Sequence, residues 1–115
     1  MTDTKAQVPG RKRTPMDKLA ELAPGLSEGF KTMRDGVFAA GPLSRHTIEL
    51  IVVASLVATR GHQSLRVHVR RLLADSVDPA ELRQAVVATL GASATLAEVI
   101  EALDIVESEI AQTDR

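Results

Sequence analysis

At 115 residues and 44% hydrophobic content, the chain has enough apolar material for one core and too little length for two ordinary domains. A net charge of -1 with 25% charged residues excludes the strongly basic balance of a dedicated nucleic-acid binder, and the absence of cysteine excludes disulfides, thiolate metal sites and any cysteine nucleophile. The only aromatics are Phe30 and Phe38, so aliphatic side chains must fill the core and no stacking platform for single-stranded nucleic acid is present.

Residues 1–15 carry Pro9, Gly10, Pro15 and the run Arg11-Lys12-Arg13 with almost nothing apolar, and read as a flexible basic arm. This arm has no apolar h-region, and the longest apolar run, residues 50–54, resumes after Ser55 only to Ala58, well short of the roughly 20 residues of a membrane span. The cytoplasm is the default location. From Met16 the apolar spacing becomes helical, with Met16, Leu19, Ala20 and Ala23 at steps of three and four, until Pro24-Gly25 is expected to break the chain. A second helix is expected over residues 26–39, with Leu26, Phe30, Met33, Val37 and Phe38 on one stripe, ending at Gly41-Pro42.

Ser44 is suited to cap a third helix running to about Arg60, apolar nearly all round from Leu50 to Ala58. A helix of that kind must be covered on several sides, and a 115-residue monomer has few layers to do so, which points to burial against another copy. Arg60-Gly61 turns the chain into a fourth helix from about His62 to Ala74. Asp78-Pro79-Ala80-Glu81 combines an N-cap, a proline at the first helical position and a glutamate placed to close a capping box, so a fifth helix starts there. It loosens near Gly91-Ala92-Ser93-Ala94, and a last helix follows over residues 95–111. Its apolar stripe is Leu96, Val99, Ile100, Leu103, Val106 and Ile110, while Glu98, Glu101, Asp104, Glu107 and Glu109 read as a solvated face or, more sharply, as a subunit contact to the basic fourth helix. No alternating strand pattern appears. The reading is a compact all-α domain of about six antiparallel helices over residues 16–115.

Three polar residues fall where the pattern expects apolar ones. Glu49 precedes the most apolar stretch of the third helix, and His68 lies within the face that Leu65, Val69, Leu72 and Leu73 define on the fourth. Ser64, four residues before His68, projects beside it. A carboxylate and an imidazole buried apart would each be driven toward the neutral form, whereas together they form a proton-transfer couple in which Glu49 fixes the tautomer of His68 or takes its proton. The alternative is a structural hydrogen bond tying two helices together, or a solvent-facing Glu49 with a core His68. His62, at the start of the fourth helix, is either a second acid or base, an anion contact with Arg66, or simply exposed. His46 reads as surface. Three histidines without close regular spacing make no metal site. Arg66, Arg70 and Arg71 give the fourth helix a basic flank that either attracts a carboxylated substrate or solvates the outside.

Residues 43–103 resemble the carboxymuconolactone decarboxylase and alkylhydroperoxidase D-like family. The resemblance rests on a Leu-Ser-Arg-x-x-x-Glu-Leu helix start, an apolar helix, a turn, a helix with His68-Val69-Arg70, and then Ser76-Val77-Asp78-Pro79-Ala80-Glu81-Leu82. It implies an all-helical fold and symmetric homo-oligomers, trimers or hexamers. In the family's peroxidase-like branch a Glu is followed by Cys-x-x-Cys and then His. Here Glu49 and His68 match, but Gly61 and Ser64 hold the cysteine positions, and a serine hydroxyl neither ionises near neutral pH nor forms a disulfide, which argues against peroxidase chemistry. The decarboxylase branch is similar at Gly61-His62 and His68-Val69-Arg70. It usually carries an acidic residue at the position of Ser64 and a further histidine near Ala88, and the Gly and aromatic residues before its last helix are replaced here by Ala92-Ser93-Ala94-Thr95.

These features set the functional expectation: proton transfer next to a carbonyl, as decarboxylation or isomerisation, on a small carboxylated or lactone substrate. Glu49 and His68 handle the proton, His62 and Ser64 assist, Arg66 or Arg45 holds an anion, and no cofactor or metal takes part. The alternative is a catalytically inactive oligomeric scaffold, accessory or binding subunit of the same fold. A third reading, a nucleic-acid accessory using Arg11-Lys12-Arg13 and the basic fourth helix, is the weakest of the three.

Overall fold

A computed structural model describes residues 13–114. Most of the expected basic arm, residues 1–12, lies outside the described residues. Six helices follow in order: α1 (Pro15–Leu22), α2 (Pro24–Phe38), α3 (Arg45–Ala58), α4 (His62–Ala74), α5 (Pro79–Val87) and α6 (Leu96–Thr113). Among the described residues there is no β-strand, only an isolated bridge between Leu90 and Ala94. No helix among them is long and apolar enough to cross a membrane.

The chain divides between Pro42 and Leu43 into two units. In the first, Thr14 caps α1 by accepting from the Asp17 amide while Asp17 accepts from the Thr14 amide, a reciprocal capping box. Pro24-Gly25 does not open a loop as the sequence suggested. Pro24 is the first residue of α2, where its missing N–H costs nothing, and only Ala23 separates the two helices. The α2 stripe forms as expected, but Leu26, Phe30, Met33 and Val37 are all exposed. The buried residue of α2 is Ser27, whose hydroxyl donates to the Pro24 carbonyl at 2.8 Å.

The second unit is a four-helix arrangement in which α3 packs on α4, α4 on α6, α6 on α5 and α5 on α3, around one aliphatic core. Val53 and Val57 enter it from α3, Leu65, Val69, Leu72 and Leu73 from α4, and Leu82 and Val86 from α5. The α4 face is the one that the spacing defined. On α6 the buried face is instead Val99, Ala102, Ile105, Val106 and Glu109, while Leu96 and Ile100, expected on the core stripe, are exposed. The buried row thus runs through small Ala102, and a charged residue, Glu109, takes the place at its end.

Caps account for the helix boundaries. Ser44 accepts from the Thr47 amide, and Thr95 and Glu98 form a second capping box at the start of α6. Asp78 caps α5 by accepting from the Ala80 amide, but Glu81 does not close the expected box. Its carboxylate is drawn instead to His46 on α3, since a hydrogen bond across two helices competes with one to its own N-cap amide. Both α3 and α4 end in Schellman turns, with the Gly61 amide bonded to the Leu56 carbonyl and the Val77 amide to the Leu72 carbonyl. Their left-handed residues are Arg60 and Ser76 rather than glycine.

Candidate functional site

Glu49 is carried inward on the same face of α3 that sends Val53 and Val57 into the core, and only 6% of its surface is exposed. Its partner is Arg71, near the end of α4. The Arg71 Nη2 group donates to Glu49 Oε1 at 2.9 Å and Oε2 at 2.8 Å, and lies 3.2 Å from His68 Nδ1. His68, one turn before Arg71, is half-buried. The two residues singled out from the sequence are therefore joined at one guanidinium, which reaches solvent on its other side. Arg71 itself had been read only as part of a basic flank.

The remaining sequence candidates are placed as follows. Ser64 lies one turn before His68 and is exposed, and His62 is half-buried at the first position of α4. Arg45 is exposed at the first position of α3. Arg66 faces α6, where its Nη1 donates to Glu109 Oε2 at 3.1 Å. Arg70, one turn on, adds two further bonds to the same carboxylate at 2.9 and 3.2 Å. Glu109 is 1% exposed, so the acidic face of α6 is not wholly solvated, and its contact to basic α4 is made within one chain. Burial pushes the Glu109 carboxyl up, but the hydrogen bonds from Arg70 and Arg66 and their charges more than offset this and hold it below the usual carboxylate value.

The spacing that exposed His68 also marked Glu109. Val99, Ala102, Val106 and Glu109 follow steps of three and four, so Glu109 is a polar residue inside an apolar row. Arg71 had no such signal, because an arginine at a face boundary reads as solvated until the opposite carboxylate is known.

A separate open groove of about 540 Å³ lies between α3 and α5. Leu50, Ile51, Ala54, Ala85 and Ala88 give it an apolar lining, with Thr47, Gln84 and the hydrogen-bonded His46 and Glu81 among its polar groups. His46 thus lies at the surface, as expected, but is engaged across two helices. Among the described residues no group of three His, Cys, Asp or Glu is placed to hold a metal ion.

The family model described as the carboxymuconolactone decarboxylase family matches residues 24–108. The chain belongs to this family. The match extends beyond the resemblance visible at residues 43–103, taking in α2 and most of α6. Comparisons with curated proteins and with solved structures returned no match. For a carboxymuconolactone decarboxylase-family chain the site is chemically narrow. Glycine and serine stand at 61 and 64, so no thiol is available, and the ionisable groups brought together are a buried carboxylate, a guanidinium and an imidazole. Such a set can move a proton, bind an anionic oxygen, or do both.

Proposed function

We propose that this chain is a carboxymuconolactone decarboxylase-like enzyme of the non-thiol kind, carrying out decarboxylation or isomerisation of a small carboxylated or lactone substrate at Glu49 and His68. The observation that carries the reading is the buried Glu49 carboxylate held on the same guanidinium that contacts His68. A structural tie between two helices needs only the ion pair. An imidazole on its solvent side adds a group able to hold or move a proton at a substrate oxygen or α-carbon. His62 and Ser64, on the same helix toward the turn, would contact the substrate, with Arg45 or the outward edge of Arg66 attracting its carboxylate. The family assignment supports this class of chemistry and leaves the substrate open.

The reading includes self-association into a trimer or hexamer. It is supported by large apolar side chains left exposed on the second unit, among them Leu43, Ile51, Leu96 and Ile100.

The test is a screen of small γ-lactones and β-keto carboxylates, following carbon dioxide release and ultraviolet absorbance. On any substrate turned over, His68→Ala and Glu49→Gln should each lower kcat/KM by at least about 100-fold, while His46→Ala, in the groove, leaves it within a few-fold. Full activity in both site variants would sink the proposal.

A further inference from the structure

We propose that Arg66 and Arg70 form an oxyanion-binding site on the α4–α6 seam, suited to the phosphate group of a small molecule. This goes beyond the reading above, in which Arg66 served only as one of two cations near a substrate carboxylate, and it does not depend on turnover at Glu49 and His68.

Two cations converge here on one carboxylate. Glu109, 1% exposed, takes Arg66 Nη1 and Arg70 Nη2 on the same oxygen, Oε2, at 3.1 and 3.2 Å, and Arg70 Nε on Oε1 at 2.9 Å. Burial pushes its carboxyl up, but the hydrogen bonds from the two arginines hold it below the usual value, so it is charged at neutral pH. Among the described residues neither arginine forms an ion pair with a second carboxylate. One turn to either side of Glu109, α6 carries Ile105, Val106, Gln112 and Thr113. On α4, His62 and Gln63 lie one turn before Arg66, and Leu73 and Ala74 one turn after Arg70. The seam therefore keeps a surplus positive charge that no acidic residue within a turn on either helix cancels.

Surplus charge alone would describe any exposed arginine, and the donors decide the matter. A guanidinium presents five N–H groups in a planar fork. Arg66 commits only Nη1, which leaves its Nε–Nη2 edge whole. Arg70 is bound side-on through Nε and Nη2, which leaves Nη1 and the outer Nη2 hydrogen as a second pair. Both pairs point away from the buried carboxylate, on side chains that are 39% and 34% exposed. Glu109 meanwhile holds the two groups in place, so less side-chain freedom is lost when an anion binds. A carboxylate, with two oxygens, fills one such pair. A phosphate monoester has three terminal oxygens and a charge of about −1.5 to −2, so it can bridge both pairs and meet the surplus charge.

Isothermal titration of the full chain with phenyl phosphate and with inorganic phosphate, at constant ionic strength, reads the binding. Arginine Nε–H resonances in ¹H–¹⁵N spectra locate it. Phenyl phosphate should saturate and shift the Arg66 Nε–H, while that of Arg83, paired with Glu107 on the surface, stays in place. Arg66→Lys, which keeps the charge and loses the fork, should weaken binding by at least about tenfold, and Arg83→Lys should leave it unchanged. Malonate, a dianion with carboxylate oxygens only, should bind more weakly than phenyl phosphate. Saturation by inorganic phosphate alone would keep the site and assign it to the free ion. No saturable binding of either probe to wild type overturns the proposal without recourse to a variant. Equal affinity for malonate, or equal affinity in Arg66→Lys, also overturns it, since each would show attraction between charges in place of a fitted site. A failed substrate screen at Glu49 and His68 leaves all of these outcomes unchanged.

Discussion

Ser76 is held at φ 67°, the left-handed conformation that closes the α4 Schellman turn, with its amide on the Leu73 carbonyl and the next amide on Leu72. A Cβ there costs about 1 kcal/mol relative to glycine, so Ser76→Gly is expected to raise the unfolding free energy by about 0.5–1 kcal/mol, read from urea denaturation. A loss of stability would mean that the hydroxyl makes a contact worth more than the strain. Arg60, at φ 57°, is a poorer place for the same change, because its guanidinium also pairs with the Glu98 carboxylate that closes the α6 capping box. Glu98 is held below its ordinary value by the Thr95 amide first and by Arg60 next. At this scale the sequence was legible wherever one residue acts on its own backbone. Ser44 and Asp78 cap the helices that they were expected to cap, and Thr95, expected only as the start of the last helix, proves to be its cap, whereas Glu81 left its box for His46 because a partner 35 positions away arrives only with folding.

The seam between α4 and α6 is where an element-scale contact has a measurable consequence. Glu109 is buried against two arginines on successive turns of α4, so removing it leaves both guanidinium groups without their acceptor. Glu109→Ala should cost about 3 kcal/mol, the lower end for breaking a buried pair, because both arginines keep about a third of their surface in water. The pH dependence has a definite sign. The native carboxyl lies below its unfolded value of about 4.3, so its contribution is complete above that pH and is lost as pH falls through the lower native value. Wild type should therefore lose stability on acidification below about pH 4.3 more steeply than Glu109→Gln, as followed by urea midpoints from pH 7 to pH 3. Parallel curves would show that the pair contributes nothing to folding. Helix spacing located this residue in principle, since Glu109 completes a row that starts at Val99, but spacing could not distinguish a buried end of the row from a solvated one.

Among the described residues, each of the two units leaves apolar side chains uncovered. In the first unit these are the α2 stripe of Leu26, Phe30, Met33 and Val37, and in the second they include Leu96 and Ile100, one turn apart on α6. If these α6 residues are buried between copies, light scattering coupled to gel filtration should give a trimeric or hexameric mass for wild type and a lower one for the Leu96→Glu/Ile100→Glu pair, with helical content unchanged. A monomeric wild-type mass would remove the self-association reading. Sequence alone determined the helical class, the four apolar residues of the α4 face, most helix starts, the absence of thiol chemistry and the resemblance that the family match bears out. Each of these follows from local chemistry: the periodicity of a helix, the donors at its first turn, or the presence or absence of a residue type. Tertiary structure decided that Glu49 meets Arg71 across 22 positions, that Arg66 and Arg70 are tied to Glu109 across 43 and 39, and which side of α6 faces the core. Charge pairing across such distances depends on helix rotation and approach, which side-chain volumes in the core set together and no single segment encodes.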